Sequence, residues 1–332
     1  MNYDMKRFTQ SLIGTRGKKP LPVLSFPGVG LIGAAVGDAV CSSELQSRAV
    51  AAVAARTRSA AAVSFMDLSV EAECFGAPLR FSSVEVPTVS GVIVADAADA
   101  AALTVPAVGT ARSGIYVEAA AKAASLIDDR PLLAGAIGPY SLAGRLMGVS
   151  EAMLCCYDEP DVLHAVLEKA TEFAIAYCSA YKAAGVNGVI LAEPLAGLIS
   201  PALAEEFSHA YVRRIISAVQ DDGFAVIYHN CGNNVPLMKS GIYSLGAMGY
   251  HFGNAVDMKQ MLDGSPADAL VMGNVDPAGI LKNGTPYDVR AAVCKLKDEC
   301  GEYPNFVLST GCDVPPAAPW ENIDAFFAAA EQ

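Results

Sequence analysis

The chain of 332 residues carries 23 Lys and Arg against 35 Asp and Glu, a formal net charge of −12 with no basic stripe, which excludes nucleic acid and anionic membrane surfaces as partners. Hydrophobic residues make up 53% and charged ones 17%, so a large core can be buried and a disordered or fibrous chain is excluded. Nine cysteines, an odd number without small-domain spacing, suit free thiols in a reducing cytosol, and a cytoplasmic location is expected.

The uncharged segment 21–37 is broken by Pro22, Pro27 and four glycines and sits too far in for an export signal. It reads as a strand over 22–26, a turn and a helix. No other stretch offers the roughly 20 apolar residues of a membrane span. Gly28, Gly30 and Gly33 spell GxGxxG between strand and helix, yet residues 49–56 offer no acidic group to hold a ribose. These glycines are therefore read as places where backbone approaches a ligand or a neighbouring strand.

A helix is expected over 38–56. Residues 57–115 then break the pattern, with Pro78, Pro87, Pro106 and an Ala/Asp-rich piece at 95–102, and are read as an insertion or lid in the βα loops. Beyond them, apolar runs at 132–137, 186–191, 225–229, 244–248, 270–273 and 305–309 predict strands. Amphipathic stretches at 159–184, 201–221, 234–240, 257–263, 286–300 and 320–330 predict helices between and after them. Alternation of this kind makes βα units and a parallel sheet, and no linker divides the chain. The expected architecture is one α/β domain over 1–332, a single (β/α)8 TIM barrel with an N-terminal elaboration.

Active sites of such barrels sit at the C-terminal ends of the strands. His229 ends FAVIYH, Cys231 follows in HNCGNN, and Cys312 follows NFVLST by two residues. One imidazole and two thiolates suit zinc, and three protein ligands leave a coordination position for chemistry. HxC also arises by chance, and free cysteines are often inert packing residues; shared placement at strand ends shifts the balance toward metal. Glu193, directly after VNGVILA, is either a fourth, exchangeable ligand or base, or a carboxylate that caps a helix. Asp276 and Asp313 either orient His229 or cap the helices that follow. His251, placed after the strand expected at 244–248, is a candidate for contact with substrate or cofactor. His164 and His209 lie in amphipathic helices and are assigned no chemistry.

The segments PVLSFPGVG, DLSVEAECFGA, AIGPYSLAGRLMG, AEPLAGLISP, YHNCGNN, MGNVDP and STGCDVPPAAPWENIDAF, in that order, resemble the uroporphyrinogen decarboxylase superfamily. They more closely resemble its methylcobamide:coenzyme M methyltransferase branch. The resemblance implies a (β/α)8 barrel with zinc on His229, Cys231 and Cys312; that Glu193 takes the open position when no thiol is bound is a hypothesis from its place at a strand end. It implies methyl transfer from a methylcobalamin-type corrinoid, brought by a separate carrier protein, to a thiol such as coenzyme M held as a zinc thiolate. Gly28, Gly30, Gly232 and His251 are the positions expected to face the corrinoid. Tetrahydrofolate is an alternative acceptor, and a decarboxylase-like lyase or a non-catalytic tetrapyrrole-binding protein are alternative functions. Porphyrinogen decarboxylases carry an Arg-rich segment near the N-terminus, where this chain reads SFPGVGLIGAA, so the counter-charges for a poly-anionic porphyrinogen are missing.

Overall fold

A computed structural model describes residues 3–14 and 17–332. Its strands are β1 (Ala62–Val63), β2 (Leu79–Arg80), β3 (Thr88–Val89), β4 (Leu132–Ile137), β5 (Gly188–Ala192), β6 (Ala225–Asn230), β7 (Gly249–Phe252), β8 (Leu270–Val275) and β9 (Phe306–Thr310). Seven of them form one parallel sheet in the order β1-β4-β5-β6-β7-β8-β9, while β2 and β3 pair as a separate antiparallel ribbon. The gap between β9 and β1 is spanned by residues 20–25, extended and buried but outside the regular ladder. Leu21 N–H donates to Leu308 O at 2.9 Å on one side, and Ala60 N–H donates to Pro20 O at 2.8 Å on the other. With this segment as its eighth member the sheet curls into the (β/α)8 barrel.

Side chains alternate across each strand, so every second residue points into the barrel. The interior cluster holds Leu21, Val23, Val63, Leu133, Ile190, Ala192, Ala225, Ile227, Leu270, Met272 and Val307. The opposite parity, including Val189, Leu191, Val226, Tyr228, Val271 and Leu308, packs against the helical layer in the main core. The helix Met5–Leu12 adds Met5 to the interior cluster and hydrogen-bonds through the Met5 N–H to Asp222 O, closing the N-terminal end of the barrel.

Three sequence expectations change. Residues 244–248 are not a strand, because Gly246 has a φ of +76° in the turn that follows the helix Lys239–Tyr243. The strand begins at Gly249 and takes His251 into its body. Residues 57–115 are more than an insertion, since they supply β1, paired with β4 from Ala62 to Leu132, and the helix Ser113–Leu126 begins inside them. Finally, Gly28 abuts a helix rather than a strand: a Cβ there would lie 2.4 Å from Ala49 O and 2.7 Å from Val53 Cγ2, on the helix Ser43–Arg56. Gly28→Ala is therefore expected to destabilise the protein by about 1–3 kcal/mol through overpacking, read as a lower denaturant midpoint with an unchanged m-value.

A second stability effect comes from Glu71. Its Oε1 accepts from the Ile137 N–H at 2.9 Å, and its Oε2 has no hydrogen-bond partner among the described residues. Burial pushes this carboxyl up to about 7, partly opposed by the Ile137 hydrogen bond. Between the ordinary value of 4.5 and about 7 the folded state holds a proton that the unfolded chain has lost, so stability falls as pH rises through that window. Glu71→Gln removes the penalty: relative to the parent it should gain about 3 kcal/mol on going from pH 4.5 to pH 8, measured by urea unfolding at both values.

Candidate metal centre

His229 is the fifth residue of β6 and shares the parity of Ala225 and Ile227, so its ring points into the barrel at the C-terminal end. Next in line, the Asn230 side chain turns back on the chain: Oδ1 accepts the Gly232 N–H at 2.9 Å and Nδ2 donates to the Tyr228 hydroxyl at 3.0 Å. This local turn sets the direction of Cys231. Two close backbone approaches pack the loop. A Cβ on Gly232 would lie 2.4 Å from Gly197 Cα, and one on Gly253 would lie 2.4 Å from Cys231 Cβ. Cys312 comes from the loop after β9, held in place because Gly311 abuts Asn254.

The result is a compact donor set. The ligand atoms of His229, Cys231 and Cys312 all lie within 4.8 Å of one another, and Cys312 Sγ is 3.6 Å from His229 Nε2. Metal–sulfur bonds of about 2.3 Å and metal–nitrogen bonds of about 2.05 Å at a tetrahedral angle put sulfur and nitrogen roughly 3.6 Å apart. The donor types and their spacing thus fit zinc. Contact with Cys312 pulls the Cys231 thiol down to about 7, and the same contact pushes Cys312 up to about 12, so the pair holds one proton more readily than two.

Glu193 is not in this group. Ala192 pairs with His229, so the next residue on β5 has the opposite parity and faces the helical layer. There its carboxylate accepts from the backbone N–H groups of Tyr140 at 3.2 Å and Ser141 at 2.6 Å, at the start of the helix Pro139–Met147. Of the two readings of Glu193, capping is the one the geometry carries. Gly138 leaves the room: a Cβ there would sit 2.2 Å from Glu193 Oε2. Burial raises this carboxyl to about 7.

Asp276 likewise caps, accepting the Ala278 and Gly279 N–H groups at 2.9 and 2.8 Å. Asp313 lies beside Cys312 with a buried Oδ1 that has no hydrogen-bond partner among the described residues, and burial pushes its carboxyl well up. Gly30 is exposed with open space where a Cβ would be, whereas Gly232 is buried against Gly197. His251 is fully buried and contacts His229 rather than any open surface: the two Nδ1 atoms are 2.6 Å apart. A bulky ligand cannot reach it. His164 pairs with Tyr211 and Glu206, and His209 with Glu205, away from this cluster.

Ser309 was not among the sequence candidates. It shares the interior parity of Val307 on β9 and receives His251 Nε2 at 2.9 Å. Its signal was a hydroxyl at an interior position of an apolar strand, which demands a partner.

The uroporphyrinogen decarboxylase (URO-D) family model matches residues 31–332. The chain belongs to that family. Among its relatives, a methylcobamide:CoM methyltransferase MtbA of Methanosarcina mazei is 27% identical over 271 residues, covering 77% of this chain and 75% of that protein. A uroporphyrinogen decarboxylase of Coxiella burnetii is 30% identical over 292 residues, covering 82% and 76%. A solved structure described as a methyltransferase from Methanosarcina mazei superposes with a TM-score of 0.86 at 24% identity, covering 99% of this chain and 98% of the other, which shows the shared barrel fold. Among the described residues no helix is long and apolar enough to cross a membrane.

Proposed function

We propose that this member of the family is a zinc-dependent methyltransferase that moves a methyl group from a methylated corrinoid, presented by a carrier protein, to a thiol of the coenzyme M class. The observation that carries the reading is one imidazole nitrogen and two thiol sulfurs within 4.8 Å of one another at the C-terminal end of the barrel. His229, Cys231 and Cys312 would hold the metal, and three protein ligands would leave room on it for the acceptor. Zinc, when bound there, supplies the charge that keeps an alkyl thiol deprotonated at neutral pH.

The protein's own residues do the rest. The two cysteines give up their protons on metal binding and bring negative charge, which keeps the acceptor sulfur electron-rich. Apolar Ile190, Ile227 and Met272 fill the barrel below and keep water from approaching from that side. When a methylated corrinoid is bound, the transfer would form the sulfur–carbon bond as the donor's carbon–cobalt bond breaks, the bonding pair leaving with the corrinoid. Positioning the acceptor sulfur against the incoming methyl group would supply much of the rate.

The match to decarboxylases at 30% identity favours a second reading, a porphyrinogen lyase. A poly-anionic substrate requires free cationic groups, and the residues 25–35 that line up with the expected Arg-rich segment contain none. The test is demethylation of methylcobalamin, followed by the absorbance of cobalt(I), with coenzyme M, homocysteine and tetrahydrofolate. Turnover with a thiol, abolished by a chelator and restored by zinc, is expected; turnover indifferent to the chelator, or only with tetrahydrofolate, rejects the thiol reading.

A further inference from the structure

His229 needs one specific tautomer to bind a metal through Nε2, and the residues behind it dictate which one forms. Ser309 Oγ donates its single proton to the backbone carbonyl of Leu21 at 2.7 Å. A hydroxyl whose proton is spent can only accept from His251 Nε2, 2.9 Å away, so that nitrogen carries the hydrogen. In a neutral imidazole the other nitrogen is then a lone pair, and His251 Nδ1 presents it to His229 Nδ1 at 2.6 Å. His229 Nδ1 also lies 3.3 Å from the His251 carbonyl oxygen, which can only accept. Both partners ask the same of His229: a hydrogen on Nδ1 and a bare lone pair on Nε2, on the side of Cys312.

We infer that Ser309 and His251 are positioning residues that lock His229 in its Nδ1–H tautomer and so ready Nε2 for the metal, the chain of contacts beginning at the Leu21 carbonyl. Ligating histidines ordinarily give their second N–H to a carboxylate, backbone carbonyl or water. Here a neutral histidine serves, so the outer partner adds no charge to the site and its own tautomer must be fixed in turn. Leu21 lies in the irregular segment that closes the barrel, and its carbonyl is free to accept because that segment is outside the regular ladder. The closing segment thereby reaches the metal ligand through two side chains without touching it.

The inference rests on the metal reading above, and the experiment separates the two. Zinc affinity is measured by competition with a chromophoric chelator for the parent, Ser309→Ala, Ser309→Thr and His251→Phe, and the tautomer of His229 by the nitrogen chemical shifts of labelled histidine in the metal-free protein. Ser309→Ala frees His251 to place its hydrogen on Nδ1, which drives the hydrogen of His229 onto Nε2. The expected results are an Nδ1–H signature in the parent, a shift toward Nε2–H in Ser309→Ala, and zinc affinity lower by roughly 10–100-fold. Ser309→Thr, which keeps the hydroxyl, restores both. His251→Phe fills the same space without the ring acceptor, leaving the His229 Nδ1–H only the backbone carbonyl at 3.3 Å, and lowers zinc affinity in the same direction, which covers the case in which Ser309→Ala does not fold. Parent protein that binds no zinc overturns the metal reading and this one together. Parent that binds zinc, with unchanged affinity and unchanged His229 signals in Ser309→Ala and His251→Phe, overturns the positioning role alone.

Discussion

Cys231→Ser and Cys312→Ser are each expected to fold as the parent does and to lose zinc on dialysis, with thiol-dependent demethylation of methylcobalamin falling in step. Apparent zinc affinities of about 10–16 kcal/mol for closed four-ligand sites correspond to roughly 2.5–4 kcal/mol per ligand, so losing one should weaken binding by about 10²–10³-fold. Serine keeps the size of the side chain but offers a hard, protonated oxygen in place of a soft thiolate. Both sulfurs are only half-buried in loops after β6 and β9, so the substitution opens no core cavity and the metal-free variants should unfold within a few degrees of the metal-free parent. Zinc per chain by atomic emission, with unfolding followed in parallel, checks both halves. A Cys312→Ser protein that retains one tightly held zinc per chain would show that the three side chains do not act as a set.

Much of the fold was readable because β4, β5, β6, β8 and β9 are buried on both faces and so appear in the sequence as short unbroken apolar runs. β1 was not readable, since two residues cannot show a period, and the run that misled, 244–248, is apolar for another reason. Leu245 and Ala247 are buried in the turn that delivers the chain to β7. The segment at the eighth position was read as a strand over 22–26, whereas it joins no ladder and turns at Phe26; its place rests on contacts with Leu308 and Ala60 that no local pattern encodes.

The candidate site divides along the same line. His229, Cys231 and Cys312 come together because each sits at or just beyond a strand end, and strand ends are legible. Which face a residue takes requires the register. Ala192 opposite His229 sends Glu193 outward, and one position of slip would have sent it in. His251 was placed after the misread strand and therefore taken as a candidate for contact with substrate or cofactor, whereas as the third residue of β7, opposite His229, it faces the barrel interior. Ser309 is marked only by a hydroxyl at an interior position, and that parity can be used only after the strand is fixed.

Arg112→Met is expected to cost about 3–5 kcal/mol of stability, the larger effect of the two on folding, without touching the metal donors. Arg112 Nη1 lies 2.6 Å from Asp67 Oδ2 and its Nε 2.7 Å from Glu73 Oε2, while Nη2 donates to Ser69 Oγ at 2.9 Å. The Arg112 and Asp67 side chains are 5% and 0% exposed, so this pair is far from the surface ion pairs that contribute little. Burial alone would lower the guanidinium pKa, but Asp67, Tyr116 and Glu73 more than reverse it and the charge persists. Removing the arginine leaves Asp67 fully buried with only the Tyr116 hydroxyl and Ser69 for partners. That uncompensated carboxylate, more than any lost attraction, is the source of the cost. The same network fastens the stretch after β1 to the start of the helix Ser113–Leu126, so the damage should spread through the first βα connection. The double variant Arg112→Met, Asp67→Leu removes the orphaned charge and should recover a large part of the loss, a coupling that a double-mutant cycle of urea midpoints measures directly. Independent, additive effects of the two substitutions would show that the pair contributes nothing as a pair. Below its unfolding midpoint Arg112→Met should still bind zinc as the parent does, which distinguishes a residue that holds the barrel's first connection from one that holds the metal.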